Sequence, residues 1–175
     1  GTIVGGSAFL EGCKSADKKM AIGLPFSAEN ISFLDEVAET IIPTTNTPGA
    51  KAAKVGAFMN TMVTDCYDEN DQKIFSDGIA AIDQACEKLH GHGFMKASPE
   101  HRKEVLVAID KEQKEYNKNK KDGDPNHYFS LMKQLTLLGY FSSEIGATQA
   151  LRYVAVPGKF EACIPYKKGD RAWAT

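Results

Sequence analysis

Apolar residues recur at three- and four-residue spacing through most of the chain, in stretches bounded by prolines, glycines and helix-capping residues. Two-residue alternation is scarce before the final segment, so the pattern commits the chain to helices. Ser27 is placed to cap a helix carrying Leu34, Val37, Ala38 and Ile41, which Pro43 stops. The TTNTPG stretch (44–49) reads as a turn-rich loop, with Pro48-Gly49 suited to the centre of a type II turn. A second helix is predicted from Ala50 to Tyr67, roughly 27 Å long, and a third from Gln72 to Leu89. Ser98-Pro99-Glu100 starts a fourth, with Val105, Leu106 and Ile109 as its stripe. Beyond Ile109 the polar, lysine-rich KEYNKNKKDGD reads as a mobile loop. Asp124-Pro125 repeats the cap-plus-proline signal for a fifth helix through Leu138, apolar on more than one face and expected at the centre. From Tyr153 onward, two proline breaks and a Pro157-Gly158 turn predict an extended tail. The expected architecture is all-α: about five helices in a bundle, with an irregular C-terminal tail packed over them. This single helical domain spans 21–175, after a leader and linker over 1–20.

Composition narrows the function. With 175 residues, 42% of them apolar, the chain can bury a real core without staples. Its 21 basic and 23 acidic residues leave a net charge of −2, which gives no general attraction to nucleic acid or anionic lipid. No apolar run approaches the roughly 20 residues that span a bilayer. Motifs for dinucleotides, phosphate loops, zinc proteases, hydrolase elbows and c-type haem are all missing from the sequence, so no catalytic, cofactor or metal residue is assigned.

The remaining chemistry-bearing residues read mostly as structure. His90, His92 and His101 are near enough in sequence to converge on a metal, but a helix C-terminus and an exposed helical face account for them better. His127 reads as a first-turn surface residue. Asp35, Glu36 and Glu39 fit a solvated helix face, and Lys111, Lys114, Lys118, Lys120 and Lys121 a solvated loop. Cys66 and Cys86 fall on apolar helical stripes and are expected to be buried free thiols, whereas Cys163 stands alone in the tail.

Residues 1–13, GTIVGGSAFLEGC, look like the apolar tail of a signal peptide. Leu10 at −3, Gly12 at −1 and Cys13 at +1 resemble a bacterial lipoprotein box, which makes Cys13 the lipidation candidate. An exported protein, periplasmic or anchored by that lipid on the extracytoplasmic side, is the expectation.

Two stretches carry a family likeness. DEVAETIIPTTNTPGAKAAKVGAF (35–58) resembles the helix, I-I-P, polar loop, T-P-G-A, helix signature of the gluconate 2-dehydrogenase subunit 3 family. LTLLGYFSSEIGATQALRYVAVPGKFEACIPYKKGDRAWA (135–174) is similar to that family's C-terminal block. The resemblance implies a small, cofactor-free, non-catalytic subunit. Its implied companions are a flavin-bearing large subunit of the glucose–methanol–choline type, which would hold the FAD, and often a cytochrome c subunit. Assisting export, stability or anchoring of the large subunit is the implied role. Prolines, glycines and aromatics preshape a surface for such a partner, so Pro43, Pro48, Gly49, Tyr140, Phe141, Tyr153, Tyr166 and Trp173, with exposed Cys163, are the interface candidates. Packing onto the domain's own core is the alternative for each. The competing function is an independent metal- or ligand-binding lipoprotein built on His90, His92 and His101.

Overall fold

Five α-helices account for most of the computed structural model, which describes residues 23–159, 161 and 163–174. Helix α1 (Ala28–Ile41) begins where the Ser27 hydroxyl accepts the Asn30 N–H at 3.2 Å. Its Phe33, Leu34, Val37 and Ala38 are fully buried, and it stops at Ile41, because Ile42 holds the pre-proline position, which disfavours helix.

Helix α2 (Val55–Cys66) starts later than its apolar pattern predicts. Residues 50–54 form a turn, because Lys54 adopts a left-handed conformation (φ 55°) that no regular helix runs through. A carboxylate from another helix takes over the capping: Asp35 of α1 accepts the Gly56 N–H at 2.7 Å. The two helices meet so closely there that a Cβ on Gly56 would lie 2.5 Å from the Ile31 carbonyl oxygen.

Helix α3 (Glu69–His90) is capped by Asp68, which accepts the Asp71 N–H at 2.8 Å, and so begins three residues before the predicted start. Gly91, at φ 76°, ends it in the left-handed conformation that favours glycine. A short 3₁₀ turn (Phe94–Lys96) then leads to α4 (Pro99–Asn119), whose Ser98 cap and N1 proline are as the sequence indicates.

The segment after Ile109 is helix, and the expected mobile loop shrinks to the turn around Gly123. Lys, Glu and Gln are good helix formers, and tertiary contacts add to their propensity. Gln113 is buried, Asp110 pairs with Lys114 one turn on and with Lys133 of the next helix, and Tyr116 donates to the Pro125 carbonyl at 2.8 Å.

Helix α5 (Tyr128–Phe141) starts at His127 rather than at Asp124-Pro125. Asp124 spends its carboxylate on the Lys121 N–H of the preceding turn, while His127 Nδ1 accepts the Phe129 N–H at 3.2 Å. His127 is therefore a buried cap and not a surface residue. Burial lowers its pKa, and the neighbouring Tyr128 hydroxyl is pushed up to about 12, mainly by burial. As expected of a central helix, α5 packs against all four others. After it, a π-helical turn (Gly146–Ala150) leads into the C-terminal segment, where a bridge joins Arg152 and Trp173. Among the described residues no helix is long and apolar enough to cross a membrane. Cys13 and the leader lie outside the described residues.

Candidate protein interface

The C-terminal segment turns back on itself at a narrow neck. The Arg152 N–H donates to the Ala172 carbonyl and the Ala174 N–H to the Arg152 carbonyl, both at 2.8 Å. The Arg152 guanidinium lies 4.4 Å from the centroid of the Trp173 ring, a cation–π contact. Arg171 adds bonds to the carbonyls of Gln149 at 2.7 Å and Thr148 at 3.3 Å, which tie the neck to the π-helical turn.

Between Arg152 and Trp173 the loop holds large side chains out in solvent. Val156 is 81% exposed and Tyr166 74%, with Tyr153, Val154, Ile164 and Trp173 itself also exposed. Left-handed glycines at Gly158 (φ 72°) and Gly169 (φ 96°) shape its turns. The exterior of α5 adds Leu137, Leu138 and Phe141, which make the last turns of that helix apolar on the solvent side too. So much exposed apolar surface on one closed loop makes it the candidate interface. Lys159, Lys167, Lys168 and Arg171 outnumber Glu161 and Asp170 around it.

The sequence-derived interface candidates divide into two groups. Phe141, Tyr153, Cys163, Tyr166 and Trp173 are exposed, and all but Phe141 belong to the loop. Tyr140 is buried and donates its hydroxyl to the Pro48 carbonyl at 2.7 Å, so it serves the core. Pro43 is exposed, Pro48 half-buried and Gly49 buried. Gly49 does not take the positive φ that a type II turn requires. A Cβ there would lie 2.3 Å from a Glu39 carboxylate oxygen, so glycine is needed for room and not for φ.

Glu39 is the organiser of that loop, a role its place among Asp35 and Glu36 conceals. One carboxylate oxygen accepts the N–H and the hydroxyl of Thr44 at 2.8 and 2.7 Å, and the other the Lys51 N–H at 2.9 Å. Glu36 pairs with both Lys51 and Arg102; burial acts to raise its carboxyl, but the two cations outweigh it and hold the pKa below the ordinary value. Burial dominates at Asp35 and leaves its pKa raised, the Gly56 N–H bond offsetting only part. The three acids are thus half-buried struts where a solvated face was expected. The only available hint was their adjacency to a loop rich in unpaired N–H groups.

The three histidines do converge. His90 stacks on His101 with centroids 3.9 Å apart and planes 4° from parallel, and His92 lies 6.1 and 5.7 Å from them. Lys114, Lys118 and Lys120 are engaged by Asp110, Glu115 and Asn126, as a solvated face allows. Of the described cysteines Cys86 is buried, as expected, and free. Cys66 is exposed and free, because the last residue of α2 projects beyond the core that buries Met59 and Val63.

Residues 28–158 match the family model described as gluconate 2-dehydrogenase subunit 3, from the first residue of α1 to Gly158 in the loop. The chain belongs to the gluconate 2-dehydrogenase subunit 3 family. No curated protein and no solved structure matches it. As a subunit 3 protein it is a component of a dehydrogenase complex. The family match takes in the whole bundle and the first limb of the loop, whereas Tyr166 and Trp173 lie beyond it. Within the subunit 3 signature, the I-I-P and T-P-G-A elements are explained by folding: Pro43 ends α1, Pro48 meets Tyr140, and Gly49 makes room for Glu39.

Proposed function

We propose that this subunit 3 protein is a non-catalytic accessory subunit that docks on the flavin-bearing, glucose–methanol–choline type catalytic subunit of a gluconate or sugar dehydrogenase. The observation that carries this reading is the pinned loop between Arg152 and Trp173, with its exposed Val154, Val156, Ile164 and Tyr166. A loop whose ends are fixed loses less entropy on binding than a free tail, and aromatic side chains supply large contact area. The FAD belongs to the partner, and a cytochrome c subunit completes the electron path. Export to the periplasm, with a lipid anchor at Cys13, is supported by the apolar leader and its Leu10-Glu11-Gly12-Cys13 box. Anchoring the catalytic subunit there and stabilising it are the roles such a chain is suited to.

Affinity purification of the tagged chain from its native host tests the reading. A flavoprotein dehydrogenase with flavin absorbance should co-elute, and it should be lost from a Val156→Asp, Tyr166→Asp variant. A monodisperse monomer that brings down no dehydrogenase would refute it.

A further inference from the structure

The N-terminus of α5 is held by a group that can take up a proton. Nδ1 of His127 accepts the Phe129 N–H at 3.2 Å, where most helices use a hydroxyl or carboxylate oxygen. Accepting that bond requires a bare lone pair on Nδ1, so the ring is neutral and carries its hydrogen on Nε2. Nε2 is buried without a hydrogen-bond partner, since the Glu112 carboxylate stands 3.9 Å away. A second proton enters only at Nδ1. There it points at the Phe129 N–H, donor against donor, and the capping bond is lost.

The surroundings oppose that proton. The imidazole lies 4.5 Å from the Tyr128 ring, centroid to centroid, and 5.5 Å from the ring of Tyr116 in α4. Tyr116 is itself anchored, its hydroxyl donating to the Pro125 carbonyl. Helix α3 backs the Tyr128 ring with uncharged Gly78, where a Cβ would come within 2.6 Å of it. The charged group that faces the imidazole from α4 is Glu112, whose side chain is 70% exposed and therefore screened. In the preceding turn Asp124 is spent on the Lys121 N–H and Lys120 on Asn126. Burial outweighs the pull of Glu112 and holds the imidazole below its ordinary pKa of 6.5.

We propose that His127 is a proton-operated cap, which holds the first turn of α5 while its ring is neutral and releases that turn in acid. Ser27, Asp68 and Ser98 cap α1, α3 and α4 with oxygens, so acid in the histidine range leaves those helices capped. The sensitive end belongs to the helix that packs against all four others. Above about pH 6.5 the cap contributes fully. As pH falls from there to the lower folded pKa, the unfolded chain binds a proton that the folded one refuses, and stability is lost; below the folded value the loss is complete.

The test is nitrogen NMR and amide exchange on the full chain. At about pH 7.5 the His127 ring should show its hydrogen on Nε2 and a bare Nδ1, and it should titrate below 6.5. The amides of Phe129, Ser130 and Leu131 all bond to His127. Between about pH 7.5 and pH 5 their protection, corrected for the intrinsic pH dependence of exchange, should fall about fivefold or more. His127→Asn keeps a capping oxygen and has no ring to titrate, so protection there should stay level over the same range. His90, His92 and His101 titrate in both proteins, and the difference between the two belongs to His127. A hydrogen on Nδ1 at about pH 7.5 would overturn the proposal, and that measurement needs no variant. An equal loss of protection in the wild type and in His127→Asn would overturn it too.

Discussion

The Tyr140 hydroxyl donates a 2.7 Å hydrogen bond to the carbonyl of Pro48, 92 residues earlier, and so fastens the last turn of the central helix to the loop between α1 and α2. Tyr140→Phe keeps the buried ring and leaves that carbonyl unpaired. Stability should fall by about 1 kcal/mol, measured by urea unfolding, with the denaturant slope unchanged.

Gly49 and Glu39 should be coupled. Gly49→Ala drives a methyl into the Glu39 carboxylate and is expected to cost about 1–3 kcal/mol. In a Glu39→Ala background the same change should cost clearly less, since the obstructing group is gone. A double-mutant cycle in denaturant reads the difference, and strict additivity would count against the steric account.

The ion pairs at Glu36 set an acid limit. Its folded pKa lies below the unfolded value, so its contribution is complete above the ordinary glutamate pKa of about 4.3 and disappears as pH falls through the lower folded value. Glu36→Gln should lower stability by about 2 kcal/mol at pH 7 and by progressively less below pH 4. Thermal melts across pH 3–7 check both parts.

Thiol chemistry should separate the described cysteines. Cys66 and Cys163 are exposed and should alkylate rapidly in the native protein. Cys86 is buried, its pKa raised chiefly by burial, and should react only on unfolding. Peptide mapping after timed iodoacetamide treatment distinguishes them.

Trp173→Ala removes the ring under Arg152 and loosens the neck of the loop. An exposed cation–π contact is worth roughly 0.5–1 kcal/mol, so the melting temperature should barely move. Partner capture should nevertheless drop about tenfold, because an unpinned loop has more freedom to lose on docking.

Features written in local sequence were legible, and those that depend on distant chain were not. Ser27 and Ser98 serve as caps for N–H groups three residues on, so spacing alone reveals them. Asp124-Pro125 carries the same signal and misleads, because a nearer N–H at Lys121 claims the carboxylate. The last turns of α4 look like solvated loop until Lys133, 23 residues later, pairs with Asp110. Asp35 and Glu39 work on N–H groups 21 and 12 residues ahead, which no periodicity encodes. The proximity of His90, His92 and His101 was readable, whereas the stacking of their rings and their unpaired nitrogens arise only once α4 folds back on α3.

The neck at Arg152 and Trp173 has an evolutionary consequence. Because the two limbs of the loop leave and rejoin the helical body at one place, the stretch from Tyr153 to Asp170 can be lengthened, shortened or rewritten while the backbone pair of the neck and the Arg171 bonds stay in place. On the proposed docking role, recognition is thereby a replaceable cassette, and one scaffold can be refitted to successive partners by changing a single surface segment.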